Sequence, residues 1–136
     1  MTWDMQWHDE DKTIIVFTVK EGSTWYEFDL AMAKYCDELG NSSKTIHAII
    51  VNDYGFPKSN PLHHIKSQIQ RLAKYKNRGV LITVSPHVYV NFVQSIAELV
   101  FKLLGLPMNK GAFVKTMSEA LRRIELSRMQ EVASSS

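Results

Sequence analysis

The chain has 136 residues, 45% of them hydrophobic and 22% charged, with a net charge of +2. That is enough to bury one good core as one domain, and too mild a charge for a nucleic-acid-binding surface. The single cysteine, Cys36, excludes an internal disulfide, and the acidic start "MTWDMQWHDED" has no apolar core of the kind a secretory signal needs.

In chain order, residues 2–8 and 13–19 read as two strands joined by the polar turn "HDEDK". The second, "TIIVFTV", is rich in β-branched and aromatic residues. After "EGS", Ser23 or Thr24 is placed to cap a helix running to about Leu39. Trp25, Phe28, Met32, Tyr35, Cys36 and Leu39 recur along it at spacings of three and four, which makes one core-facing stripe. Gly40 suits the end of that helix. Residues 46–53, "IHAIIVND", have an apolar centre with no alternation, which predicts a strand covered on both faces.

A helix is expected over about 61–75, with Pro61 in a first turn that needs no amide hydrogen there. A second buried strand follows over 79–85, "GVLITVS", then a long helix over 86–104. Polar residues Asn91, Gln94, Glu98 and Lys102 interrupt that helix at near-regular intervals, so it reads as amphipathic and excludes membrane insertion. "AFVKT" is a short strand. Ser118 is placed to cap a closing helix to about Met129, with Glu119 in its first turn favouring the positive end of the dipole. Residues 131–136, "EVASSS", read as a flexible tail after a domain spanning 1–130. The order β-β-α-β-α-β-α-β-α implies a single α/β domain with a mixed, largely parallel sheet and four flanking helices.

Two stretches carry a family resemblance. "HAIIVNDYG" is an apolar strand ending in an acid before a loop and a helix, and "FVKTMSEALRRI" is a strand followed by a helix that opens on Glu-Ala-Leu. With the element order, they make residues 10–130 resemble the STAS-like fold of bacterial anti-sigma-factor antagonists and of the cytoplasmic domains of sulphate transporters. The aromatic-rich "TWYEFDLAMA" is similar to that of divergent bacterial members. The resemblance implies a non-catalytic regulatory or protein-interaction module. In phosphoregulated members the loop after the strand reads apolar-Asp-Ser-Ser/Thr-Gly, and its first serine accepts phosphate. The matching serine here is Ser59. Lys58 stands in place of the acid, Asn60 of the second hydroxyl and Pro61 of the glycine, so the chain departs from the phosphorylated pattern.

Several groups invite a functional reading beside a structural one. Asn52 and Asp53 end the central strand, where open α/β sheets place their ligand crevices. With Lys58, Ser59 and Asn60 they form a candidate ligand or switch loop, and the same residues also suit turns and caps. Asp53 with His63 or His64 suggests a metal, but adjacent helical residues point about 100° apart, so the two rings do not converge. Cys36 on an apolar stripe and His47 at the start of a strand read as core residues. No nucleotide-binding or nucleophile motif occurs, so neither a cofactor nor catalysis is expected.

Lys66, Arg71, Lys74, Lys76 and Arg78 cluster at 66–78, and no acid lies between Pro57 and Glu98. That block reads either as a solvated helix face or as a surface for an acidic partner or an anionic ligand. In the helix expected over 86–104, Val90, Ala97, Phe101 and Leu104 widen the apolar arc to about 200°, beyond what packing on one sheet needs. They are the candidate interface, for a second copy or a regulatory protein partner. The expected function is a cytoplasmic, dimeric binding module; the alternative is a carrier or sensor for a small apolar or anionic molecule.

Overall fold

The computed structural model describes residues 3–55, 57, 59–86, 98, 99, 102, 105 and 111–135. Five strands form one mixed sheet in the order β1-β2-β3-β4-β5: Asp4–Trp7, Ile14–Thr18, Ile46–Val51, Arg78–Val84 and Gly111–Val114. β1 is antiparallel to β2, and the other three pairings are parallel. Three helices are fully bounded: α1 (Trp25–Gly40), α2 (Leu62–Leu72) and α3 (Met117–Ser135). Within the helix expected over 86–104, Glu98, Leu99 and Lys102 are helical, and the candidate interface residues Val90, Ala97, Phe101 and Leu104 lie outside the described residues.

Strand β3 is the centre, and its pleat divides the core in two. Ile46, Ala48 and Ile50 join Ile15, Phe17 and the α1 stripe of Ala31, Met32, Tyr35, Cys36 and Leu39. Ile49 faces the other way and joins Ile14, Val80, Ile82, Val84 and the α3 residues Ala120 and Ile124. Crossovers of one hand that step across a sheet in one direction leave their helices on one face. Accordingly α1 and α2 pack together on the first face, and α3 covers the second. Burial pushes the Cys36 thiol up and the Tyr35 phenol well above its ordinary range, and the Tyr35 hydroxyl donates to the Ile46 carbonyl at 2.6 Å.

The helix starts differ instructively from expectation. Thr24 caps α1 with a complete capping box: its hydroxyl oxygen accepts from Tyr26 N–H, and the Glu27 carboxylate accepts from the Thr24 amide and hydroxyl. Gly40 is the last helical residue, and Asn41 is the cap. α2 is bounded at Leu72, three residues before the expected end. Thr116, not Ser118, caps α3: its hydroxyl oxygen accepts from Glu119 N–H at 3.2 Å. α3 continues through Ser135, over 131–135 where a tail was expected; once nucleated, a helix adds residues at little cost.

One irregularity fixes the register. Ile46 pairs with Arg78 and Ala48 with Leu81, so His47 stands opposite both Gly79 and Val80. The extra residue makes a bulge. Val80 N–H donates to His47 Nδ1 at 2.9 Å, so a ring nitrogen takes the acceptor place that the ladder loses. The ring sits so close that a Cβ on Gly79 would come within 2.2 Å of Nδ1. His47 is therefore a core group, 1% exposed.

Gly79→Ala is expected to destabilise the fold by about 1–3 kcal/mol in urea unfolding, the usual cost of overpacking. Adding His47→Ala removes the clash, so the double variant should lose less than the sum of the two single changes.

The capping box adds a pH signature. The Thr24 hydroxyl, and next its amide, hold the Glu27 carboxyl below the usual range. A lowered folded pKa stabilises above the unfolded pKa and loses that stability as pH falls through the folded one. Glu27→Gln should therefore cost about 0.5–1 kcal/mol at pH 7 and nothing at pH 2, read as the gap between the two urea midpoints.

Candidate functional site

The carboxyl ends of β2, β3 and β4 lead into segments 19–24, 52–61 and 85–86. Both α1 and α2 begin at this end, because each helix runs back across the sheet before the next parallel strand. Their amide-rich N-termini and the loop after β3 therefore share one edge of the fold.

The loop residues singled out by the sequence serve the backbone. Asn52 is buried, its amide donating to the Val84 carbonyl at 2.9 Å, which carries the ladder one residue past β3. Its Oδ1 accepts from Tyr54 N–H at 3.1 Å, the turn that an Asn at this place favours. Asp53 is exposed. Asn60 Oδ1 accepts from Leu62 N–H at 3.0 Å and opens α2 ahead of Pro61. Ser59 is exposed, and its carbonyl accepts from the Trp25 indole N–H at 3.1 Å. Lys58 lies outside the described residues.

A second set of side chains, which no sequence pattern joins, meets between α1 and α2. His64 Nδ1 is 2.8 Å from Asp29 Oδ2, and Gln68 Nε2 donates to Asp29 Oδ1 at 2.9 Å. With the carboxylate accepting, the neutral His64 ring carries its proton on Nδ1 and presents Nε2 as its acceptor. The ring stacks on Trp25 at 6.1 Å between centroids, 18° from parallel, and His63 meets it edge-on at 5.8 Å. Trp25 also takes Phe28 edge-on at 5.4 Å, and Trp3, just before β1, donates to Ser23 Oγ at 3.1 Å. Gln68 is only 4% exposed, and its Oε1 accepts no hydrogen bond from any described residue. That orphan acceptor costs on the order of 1–3 kcal/mol.

Trp25 with Asp29, and His64 with Gln68, are each spaced i, i+4, so each pair shares one helix face. That spacing is the only signal in the sequence, and it becomes informative once α1 and α2 are known to be neighbours. His64 belongs with Asp29, and not with Asp53, which the sequence had set beside it. Among the described residues no three His, Cys, Asp or Glu side chains group as metal ligands. The arrangement clamps two helices and orients one imidazole beside a stacked indole. Around it Tyr26, Tyr54 and Leu62, in the first turns of the helices and in the loop, are 64%, 57% and 41% exposed.

Because Ser59 is held through its main chain, Ser59→Ala should change stability by less than about 0.5 kcal/mol. Trp25→Phe removes the indole donor and should cost about 1 kcal/mol or more, measured by thermal melts of both variants. A large loss in Ser59→Ala would mean that its hydroxyl, and not its carbonyl, anchors the loop.

No family model, no curated protein and no solved structure matches the chain.

Proposed function

We propose that this chain is a non-catalytic regulatory or protein-interaction module of the STAS-like type, cytoplasmic, cofactor-free and assembled as a homodimer or with a regulatory protein. The observation that carries this reading is the division of labour at the carboxyl end of the sheet. Polar side chains there serve the fold: Asn52 and Asn60 make turns, and Asp29 holds His64 and Gln68. Among the described residues of this edge, the large side chains turned to solvent are Tyr26, Tyr54 and Leu62. Such residues gain from covering by a partner, and tyrosine is enriched in the cores of protein interfaces. No helix among the described residues is long and apolar enough to cross a membrane, in keeping with a module that works by contact between proteins.

A small-ligand carrier is the second reading, and Gln68 is the observation that favours it. A ligand carrying an N–H or O–H donor between α1 and α2 would satisfy the buried Oε1. Native mass spectrometry separates the two: added mass on freshly purified protein identifies a carrier, and a clean dimer the interaction module.

The proposed self-association surface is the face containing Val90, Ala97, Phe101 and Leu104. Burying a phenylalanine at such a contact contributes about 1.5–3 kcal/mol, and a glutamate in its place adds an unpaired charge. Phe101→Glu should therefore turn the dimer into a monomer in sedimentation velocity while circular dichroism is unchanged. A wild type that is monomeric at high micromolar concentration would remove this surface from consideration.

A further inference from the structure

Strand β1 is one edge of the sheet, and no described strand lies beyond it. Its ladder with β2 alternates. His8 N–H donates to the Ile14 carbonyl at 2.9 Å, and the register runs on through Gln6 with Val16 and Asp4 with Thr18. These residues direct both backbone groups at β2. Met5 and Trp7, opposite Phe17 and Ile15, alternate with them, so their N–H and C=O groups point away from the sheet. Among the described residues no backbone group pairs with those outward groups.

Proteins commonly blunt such an edge with proline, lysine or a bulge. β1 has no proline or lysine, and its register with β2 is unbroken. The side chains along this edge sort into two rows. Trp3, just before the strand, Met5 and Trp7 lie on the face that α1 covers and are only partly buried against that core. Asp4, Gln6 and His8 lie on the other face, and all three are exposed. Lys20 Nζ lies 3.4 Å from the Asp4 carboxylate, and the Asp4 side chain is still 65% exposed.

We propose that β1 pairs with β1 of a second copy, antiparallel about a two-fold axis at Gln6, so that the sheet continues from one copy into the next. Centring the axis on Gln6 lets Met5 and the copy's Trp7 exchange their outward backbone bonds, and Trp7 and the copy's Met5 do the same. On one face each thioether then meets an indole, a favourable sulfur–aromatic contact. On the other, Asp4 meets His8 of the copy at both ends, and Gln6 meets Gln6. Centring the axis on Met5 sets Asp4 against Gln6 instead, and centring it on Trp7 sets Asp4 towards Glu10. A second copy is the occupant because the edge is its own complement in charge and in apolar row. The strand is only four residues long, so this contact adds to copies already brought together and does not hold free ones at micromolar concentration. It uses none of Val90, Ala97, Phe101 or Leu104.

Disulfide trapping of the full chain tests this, since the native Cys36 is buried. The two Gln6 residues would form a non-hydrogen-bonded pair with Cα atoms about 4.5 Å apart, inside the range that a disulfide spans. Under mild oxidation Gln6→Cys should link copies at least about tenfold faster than Arg122→Cys, an exposed position on α3 that reports chance encounters. Two copies of Asp4→Cys would hold their Cα atoms about 14 Å apart, so that variant should link to itself no faster than Arg122→Cys. Mixed with His8→Cys, it should give the mixed dimer. Met5→Pro removes an amide that only the copy would use, and an edge strand tolerates proline there. Added to Gln6→Cys, it should return linking to the Arg122→Cys rate with circular dichroism unchanged. The proposal is overturned if Gln6→Cys links no faster than Arg122→Cys, as it would if the edge took a strand of another protein. It is also overturned if Asp4→Cys links to itself as readily as to His8→Cys, or if folded Met5→Pro leaves the fast linking in place. Each of these results leaves the interaction-module reading standing, because that reading is tested separately through Phe101→Glu.

Discussion

The rest of the structure depends on strand β3 having no polar face. Ile46, Ala48 and Ile50 must be covered on one side, and Ile49 on the other. Only an inner position in a sheet with helices on both faces meets that demand. The order of strands, the packing of α1 and α2 together, and the placement of α3 on the second face all answer it. Burial on both sides also leaves no room for an error of one residue, since a slip would exchange the two cores. His47 and Gly79 hold the register at the point where β3 enters the sheet: the imidazole replaces a lost ladder acceptor and occupies the space that any other residue at 79 would need.

The parts of the fold that were legible in the sequence are those set by short-range periodicity. The unbroken apolar run of β3 and the three-and-four spacing of the α1 stripe each determine their own local structure, whereas the choice of Thr24 over Ser23 as the cap of α1 was left open and is made by Glu27. The misplaced cap of α3 shows the limit of that reading. Ser118 and Thr116 are both hydroxyl residues at the start of the helical run, and the contacts of Glu119, through its amide and its carboxylate, with the hydroxyl of Thr116 favour the earlier one. The bulge was not legible, because it depends on which residue of β4 faces His47. Nor was the α1–α2 clamp: Asp29 and His64 are 35 residues apart in the chain, and Asp53 is much nearer to the histidine in sequence. Distance along the chain favoured the wrong carboxylate, and the packing of the two helices chose the right one.

The loop after β3 shows how a stretch can look functional and still be explained by its backbone. Asn52, Ser59 and Asn60 are residues that phosphate sites and turns share, and in this fold each has a turn or anchoring role through an amide oxygen or a carbonyl. The indole of Trp25 connects that loop to the clamp below it. Any partner that presses on Tyr54 or Leu62 therefore acts on a segment tied to α1 by the Trp25–Ser59 hydrogen bond, the Trp25–His64 stack and the Asp29 contacts with His64 and Gln68.

The placement of α3 bears on the order in which the protein is synthesised. α3 is made after every strand it covers, and Ala120 and Ile124 are its contribution to the core over Ile14, Ile49 and Ile82. Arg128 then donates to the hydroxyl of Thr13, 115 positions earlier in the chain. A nascent chain can therefore pack α1 and α2 on its first face as they emerge, while the part of the second face that α3 covers stays apolar and open until α3 is made. During that interval the half-covered sheet is a surface for chaperones or for misassembly with other growing chains.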